Sequence, residues 1–298
     1  DKVAEFTMKL FNDYDVMGGY QDMVGLWPIQ ACYDESHGHT VGGGNYWVGG
    51  YQTLYEKLRA QLREEKGDDR ILTTEGTADA YTSCFDAQLA YVFSYGGGLE
   101  KVPAVHAVLA GATQLMGRYY SLGESDLIWR QKNARSFVWG EQLGWCDANI
   151  YDAPTKGSYL RDTAKVRDQI NQYLYAGVMG KPLELEGNTT VLAQDNKPTY
   201  VVENGVWMRP QDDQAVVLFA NIVDDAQTLT VNMDLADYGL DCTAAQVIVR
   251  GPSGIIDEFY VDGSFSKELN LEGAEVQAWE IIPVDQKEDV DSTVYEEA

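Results

Sequence analysis

Two carboxylates stand where predicted strands end. Glu75 follows the short apolar run that starts at Ile71, and Asp22 stands in the segment GGYQDMVG at residues 18–25. In a parallel array of βα units, functional groups gather at the carboxyl ends of the strands. Neighbouring strands lie ~4.8 Å apart, so carboxylates at adjacent strand ends reach the ~5–5.5 Å separation that retaining glycosidases use. We therefore predict that Asp22 and Glu75 work as a pair.

Two carboxyl groups at this separation push their pKa values apart, so that one serves as an acid while the other stays ionised. The alternative is structural, because an acidic side chain more often caps a helix or pairs with an arginine at the surface. For two carboxylates at matched strand ends, both interpretations stay open.

The loop after Asp22 is rich in polar and aromatic residues. It reads CYDESHGHTVGGGNYWVGGY at residues 32–51 and contains Asp34, His37, His39 and Trp47. One interpretation is a metal site of the His-X-His type with Asp34 as a third ligand. A second is a sugar-binding loop in which the imidazoles and the carboxylate bind hydroxyls and Trp47 stacks on the ring. A third is a structural loop whose glycines satisfy the backbone. We favour the sugar-binding interpretation and expect no metal and no cofactor.

A third acidic candidate, Glu141, lies between Trp139 and Trp145 in the segment WGEQLGW. The flanking aromatic rings predict a wall of the same sugar pocket, and the alternative is a packed strand end. His106 lies inside an apolar run, so we interpret it as a core histidine with a hydrogen-bond partner.

Two periodicities divide the chain. Up to about residue 180, helical spacings alternate with short apolar runs, which indicates parallel βα units. The predicted helix faces are Val3, Phe6 and Leu10; Tyr51, Leu54, Tyr55, Leu58 and Leu62, ending near Lys66; and Val166, Ile170, Tyr173 and Leu174. Besides the strand at Ile71, buried strands are predicted at residues 102–111 and 136–145, with a helix between them to about Tyr120.

From about residue 190 the pattern changes to seven short alternating strands, which is typical of a β-sandwich. The tail at residues 285–298 is acidic and aperiodic. We therefore predict a (β/α)-barrel part at residues 1–188, an antiparallel β-sandwich at 189–284 and an acidic flexible tail at 285–298.

The composition restricts the partners. The net charge is −25, from 47 acidic and 22 basic residues among 298, so nucleic-acid backbones and anionic membranes are repelled. No signal peptide is visible, and we expect a mature form, a fragment or a cytosolic chain. The four cysteines are scattered and are expected to be reduced. The 19 tyrosines and 7 tryptophans suit a carbohydrate ligand, although such rings also serve ordinary packing.

Several segments carry a resemblance to known proteins. GGYQDMVG, CYDESHGH, GGGNYWVGGY, LTTEGTADAY and WGEQLGW, followed by an all-β region, resemble an uncharacterised bacterial family of glycoside-hydrolase-type barrels. The layout is similar to that of the endo-α-N-acetylgalactosaminidases and, more distantly, the α-galactosidase-like barrels. The resemblance covers roughly residues 1–284. It implies a (β/α) barrel with a C-terminal β-sandwich and retaining cleavage of an α-glycoside, with Asp22 as nucleophile and Glu75 as acid/base.

The chain departs from this family in length. A complete barrel needs ~250 residues, but only about 180 precede the predicted sandwich. We therefore expect only the C-terminal half of a (β/α) barrel. The chain is then a fragment, or a second chain supplies the N-terminal barrel half, or the fold is truncated. A half barrel exposes a sheet edge and helix faces, which drives association.

The leading hypothesis is a glycoside hydrolase, or the catalytic half of one, with a carbohydrate substrate. The alternative is a non-catalytic carbohydrate-binding or assembly subunit. A third hypothesis is a metal-dependent enzyme built on His37 and His39.

Overall fold

The computed structural model describes residues 2–90, 98–99, 102–117 and 120–284. The chain forms two compact units. The first unit consists of Asp1–Tyr95, Pro103–Tyr120 and Gly140–Cys146, and the second of Gly96–Val102, Ser121–Trp139 and Asp147–Ala298. This division differs from the single boundary expected after residue 188, and the predicted domain limits stay a prediction. The tail predicted at 285–298 lies outside the described residues.

The first unit contains a parallel sheet. Its strands pair in chain order, and they are β1 Gly18–Gln21, β2 Ile71–Glu75, β3 Ala87–Leu89 and β4 Gln114–Met116. Its helices are α1 Lys2–Tyr14, α2 Tyr46–Lys66 and α3 Ala104–Leu109. Strands that alternate with helices and pair in parallel are the arrangement that the sequence pattern predicts.

The helix α2 forms as its sequence predicts. Tyr55, Leu58 and Leu62 recur at helical spacing and are buried, and the chain leaves the helix at Gly67, whose φ of 89° favours glycine. The helix α1 also forms, but the predicted face of Val3, Phe6 and Leu10 is exposed. Its buried residues Met8 and Phe11 join α2 in one core.

Two predicted strands are wrong. Residues 104–109 form α3, which follows Pro103, and Val108 is 78% exposed. A short apolar run fits a helix or a strand equally well, and proline suits the start of a helix. The helix expected after this run is wrong too, because β4 lies there.

The other wrong strand, at 136–145, begins inside the helix α4 Asp126–Val138. Residues 129–138 are all buried although they include Arg130, Lys132 and Arg135, so the sequence of this helix does not divide into an apolar and a polar face. Beyond it, Gly140 has a φ of 72°, and Gln142 and Cys146 form isolated parallel bridges to Met116 and Tyr120. The run therefore holds a helix end and a short extended segment.

The second unit combines α4, α5 Pro154–Gln169 and α6 Asn171–Ala176 with antiparallel sheets. The predicted helix through Val166 and Leu174 is divided between α5 and α6 by Ile170, whose φ and ψ are −121° and 19°. Inside this unit, the cationic side chains of α4 are paired. Arg135 contacts Glu203 at 3.0 Å and Arg130 contacts Asp224 at 2.8 Å, which offsets the cost of burying them.

All seven strands predicted after residue 190 are present. The strands of this unit are β5 Val178–Gly180, β6 Leu185–Glu186, β7 Thr190–Leu192, β8 Pro198–Tyr200, β9 Val202–Arg209, β10 Gln214–Asn221, β11 Gln227–Asp234, β12 Ala244–Gly251, β13 Gly254–Asp262, β14 Ser264–Leu271 and β15 Val276–Pro283. One sheet has the order β13-β12-β15-β10-β9-β5, another β14-β11-β6, and β7 pairs with β8. The alternation is clear in β11, where Leu229, Val231 and Met233 are buried. Side chains of both larger sheets form one hydrophobic core.

Among the described residues, every helix is too short or too polar to cross a lipid bilayer.

Candidate active site

The ends of β1 and β2 lie side by side. These strands pair in parallel, and the last paired residues are Gln21 and Thr74. Asp22 and Glu75 directly follow these two residues, Asp22 in the turn after β1 and Glu75 as the last residue of β2. Asp22 is exposed and Glu75 is partly buried. The structure therefore brings both to adjacent parallel strand ends.

Glu75 and Tyr20 belong to the same face of the sheet. Successive side chains of a strand point to opposite faces. Gly19 and Leu72 face the helices, because a Cβ at Gly19 would lie 3.5 Å from Leu72 Cδ2 and Leu72 joins the core of α1 and α2. Tyr20 and Glu75 belong to the opposite face, and Asp22 lies in the turn that follows β1.

This face is concave. The ring of Tyr20 meets the ring of Trp145 edge to face, with centroids 6.3 Å apart. Trp145 lies beyond Gln142, which pairs with Met116 at the far edge of the four-stranded sheet. In a flat sheet, β1 and the Gln142 segment would be separated by four strand spacings, about 19 Å. The sheet must therefore curve towards the face that carries Tyr20.

A pair of glycines fixes the two strand ends against each other. The amide of Gly25 donates a hydrogen bond to the carbonyl of Glu75 at 2.9 Å. A Cβ at Gly25 would lie 2.6 Å from the carbonyl oxygen of Gly76, and a Cβ at Gly76 would lie 2.4 Å from Leu26 Cγ. Gly76 also has a φ of 80°, which a residue with a Cβ adopts only with strain. This contact explains why a glycine follows Glu75.

The concave row, by which we mean Tyr20, Trp145 and the predicted pair Asp22 and Glu75, is open to solvent. Tyr20 and Trp145 are 41% and 51% exposed. A cleft of about 620 Å³ lies along α2, but neither Asp22 nor Glu75 lines it. The two carboxylates therefore stand at a surface, where a further wall is needed to enclose a ligand.

The loop between β1 and α2 brings its two histidines together. Their ring centroids lie 5.7 Å apart, and His37 Nε2 lies 3.4 Å from Asp34 Oδ2. Asp34 accepts hydrogen bonds from the amide and hydroxyl of Ser36, which lower the pKa of its carboxyl. Trp47 lies in the first turn of α2, and its ring meets Tyr51 edge to face at 5.6 Å.

Sequence reasoning missed two residues. For Cys32 the sequence predicts only a reduced thiol, but its Sγ lies 3.2 Å from His37 Nδ1. The signal was its place in the same short segment as both histidines. Tyr20 was also overlooked, although it precedes Asp22 by two positions, the spacing of side chains on one face of a strand.

Glu141 is not brought to the concave row. It is fully buried, and its Oε1 lies 2.6 Å from Nε2 of His106, a residue of α3 that is 2% exposed. Its contact with His106 thus directs Glu141 towards α3. The interpretation of His106 as a core histidine with a partner is thus confirmed. Trp139 belongs to the second unit, where the guanidinium of Arg135 lies 5.9 Å from its ring centre.

Comparison with known proteins relates this fold to glycoside hydrolases. A family profile described as "Domain of unknown function (DUF6259)" matches residues 1–120. A protein of Bacteroides thetaiotaomicron named "Putative glycoside hydrolase" is 24% identical over 236 residues, which is 78% of this chain and 35% of that protein. The chain thus spans about a third of the length of this relative.

Solved structures of glycoside hydrolases share the fold. The noncanonic maltogenic alpha-amylase AmyB from Thermotoga neapolitana has a TM-score of 0.56 and 12% identity, over 95% of this chain and 65% of that one. Alpha-galactosidase I from Mortierella vinacea has a TM-score of 0.53 and 11% identity, over 92% of this chain and 70% of that one. At these identities the likeness concerns the fold alone. The resemblance to glycoside-hydrolase-type proteins is confirmed.

The glycine contact yields a prediction about the site. Gly76→Ala and Gly25→Ala should each lower the free energy of unfolding by about 2 kcal/mol or more, because each adds a Cβ where backbone or a packed side chain stands. The control is Gly50→Ala in α2, where an added Cβ meets nothing within 4 Å and should stabilise by about 0.5–1 kcal/mol. Urea unfolding measures all three. Stabilities of Gly76→Ala and Gly25→Ala equal to the parent's would contradict the contact.

Proposed function

We propose that this chain is a glycoside hydrolase, or the catalytic part of one, that cleaves an α-glycoside with retention of configuration. The observation that carries the proposal is the position of Asp22 and Glu75, one residue beyond the paired ends of two neighbouring parallel strands. Carboxylates ~5–5.5 Å apart are the geometry of a retaining mechanism. The fold shared with glycoside hydrolases supports it.

The reaction divides the work between the two side chains. Asp22 attacks the anomeric carbon, and Glu75 donates a proton to the leaving oxygen, so that the glycosidic bond breaks and a glycosyl ester forms on Asp22. Glu75, now a carboxylate, removes a proton from water, which attacks the same carbon and releases Asp22. No cofactor takes part.

The substrate in this proposal is a carbohydrate bound over the concave row. Tyr20 and Trp145 offer exposed rings beside the carboxylates, and apolar sugar faces stack on such rings. The loop after β1 supplies the predicted sugar-binding side chains Asp34, His37, His39 and Trp47. Trp139 and Glu141 stay predicted contributors only, and the burial of Glu141 against His106 favours a structural role.

We also propose that the first unit is half of a (β/α) barrel and that the two larger antiparallel sheets form a β-sandwich. Within the described residues β1 pairs with β2 only, and the apolar face of α1 is exposed at Val3, Phe6, Leu10 and Tyr14. A preceding βα unit of the same barrel would pair with β1 and cover this face. It would also supply the missing wall of the site.

The catalytic roles are tested by Asp22→Asn and Glu75→Gln. Each substitution keeps size and removes charge, so each should lower kcat/KM at least a thousandfold on a substrate that the parent cleaves, while the urea midpoint stays the same. Asp79→Asn is the matched control, an exposed acidic residue after β2 that caps only a local turn. Unchanged turnover in either variant would rule out the assignment.

Azide separates the two roles. In Asp22→Ala, azide fills the space of the nucleophile and should yield a glycosyl azide of inverted configuration. In Glu75→Ala, azide attacks the glycosyl ester and should yield the retained configuration. The same product from both variants, or no rescue in an otherwise folded protein, would contradict the proposed division of labour.

The alternative, a non-catalytic carbohydrate-binding or assembly subunit, is favoured by one observation. The rings of Tyr20 and Trp145, on the proposed substrate face, are 41% and 51% exposed, so this face is open to solvent. Binding of glycans without release of the aryl group from a panel of aryl α- and β-glycosides would favour this alternative.

The exposed face of α1 predicts self-association of the isolated chain. Phe6 and Leu10 are 63% and 45% exposed, and burying them against a second copy removes apolar surface from water. The double variant Phe6→Ser/Leu10→Ser should weaken association at least tenfold, as measured by sedimentation equilibrium. Tyr151→Ser, at a site 91% exposed in the second unit, is the control. A monomeric parent at tens of micromolar would contradict the prediction.

A further inference from the structure

The loop after β1 gathers three side chains that bind soft metal ions. Cys32, His37 and His39 each offer one ligand atom, and these atoms lie within 4.8 Å of one another. Cys32 Sγ lies 3.2 Å from His37 Nδ1. In a tetrahedral zinc site, sulfur and nitrogen ligands lie about 3.5 Å apart, given Zn–S of about 2.3 Å and Zn–N of about 2.0 Å. The observed separation is close to that value.

The other ring nitrogen of each histidine already has a suitable neighbour. His37 Nε2 lies 3.4 Å from Asp34 Oδ2, and His39 Nδ1 lies 2.9 Å from the carbonyl oxygen of Thr40. Histidines that bind metals usually donate this second N–H to a carboxylate or a carbonyl, which fixes the ring and its tautomer. The arrangement leaves His37 Nδ1 and His39 Nε2 as the ligating atoms.

The loop holds these groups in place before any ion binds. Asp34 is fixed by the amide and hydroxyl of Ser36 at 2.8 and 2.6 Å. Gly38, with a φ of 70°, reverses the chain between the two histidines. The ring of His39 stacks on Tyr46 with centroids 4.0 Å apart, and Tyr46 begins α2. A preformed site loses less conformational entropy on binding.

We propose that Cys32, His37 and His39 bind one zinc ion, with Asp34 orienting His37. A thiolate and two imidazoles suit Zn²⁺ and disfavour Ca²⁺ and Mg²⁺, which prefer oxygen ligands. Three protein ligands leave a fourth position for water or a ligand group. The ion would tie the loop after β1 to the start of α2. The proposed function assigns Asp34, His37 and His39 to sugar binding as well, but zinc binding is measured on the purified chain and does not depend on glycosidase activity.

The test is metal binding by the purified chain after treatment with a chelator. Isothermal titration with ZnCl₂ should give one Zn²⁺ per chain, and excess Ca²⁺ or Mg²⁺ should not compete. Co²⁺ should replace zinc and give a thiolate-to-cobalt charge-transfer band, which reports the sulfur ligand directly. Absence of stoichiometric zinc binding would overturn the proposal.

Variants assign the ligands. Cys32→Ser and His39→Gln should each weaken zinc binding at least a hundredfold, and Cys32→Ser should abolish the cobalt band. Asp34→Asn should weaken binding about ten- to a hundredfold, as expected for a residue that acts through a ligand. Cys242→Ser, a partly buried thiol in the second unit, should bind like the parent.

Circular dichroism shows whether each variant is folded. Zinc binding by Cys32→Ser equal to that of the parent would overturn the site. Rapid alkylation of Cys32 by iodoacetamide, at a rate that zinc does not change, would also overturn the proposal. The contact between Cys32 and His37 would then be a thiolate–imidazole pair and not part of a metal site.

Discussion

The parallel pairing of β1 with β2 is the constraint on which the candidate site depends. Its register places Gln21 opposite Thr74, the residues directly before Asp22 and Glu75, and so brings both carboxylates to the same end of the two strands. A slip of one residue in either strand would turn its side chains to the other face of the sheet. Two carboxylates then could not share one substrate.

Packing protects this register from both sides. On the helix side, Leu72 is fully buried in the core that α1 and α2 provide. At the strand ends, Gly25 and Gly76 allow the two loops to approach so closely that a Cβ on either would meet atoms below 3 Å. On the concave side, Tyr20 contacts Trp145 across the curve of the sheet. Small residues thus lie where the two loops approach each other, and large aromatic rings lie on the open face.

The sequence predicted helices and strands correctly where one periodicity dominates. The strands of the second unit alternate between buried and exposed residues, as β11 does, and α2 repeats its apolar residues at helical spacing. The prediction failed where burial is nearly complete or nearly absent. Every residue from 129 to 138 of α4 is buried, and α3 exposes Val108. Neither run has the one-sided pattern that separates a helix from a strand.

For the site, the strand-end carboxylates were predictable because chain order sets which parallel strands adjoin. The contact of Cys32 with His37 was not predictable, because it needs the reversal of chain direction at Gly38. The burial of Glu141 against His106 was not predictable either, because these residues meet only through the packing of α3 on the sheet.

The most direct test of this account is to identify the carboxylate that becomes glycosylated. A fluorinated glycosyl fluoride forms the glycosyl ester quickly and releases it slowly, so the labelled peptide accumulates and mass spectrometry can locate the ester. The account predicts a label on Asp22, and its loss in Asp22→Asn. A label on any other residue, formed at the rate of inactivation, would contradict it.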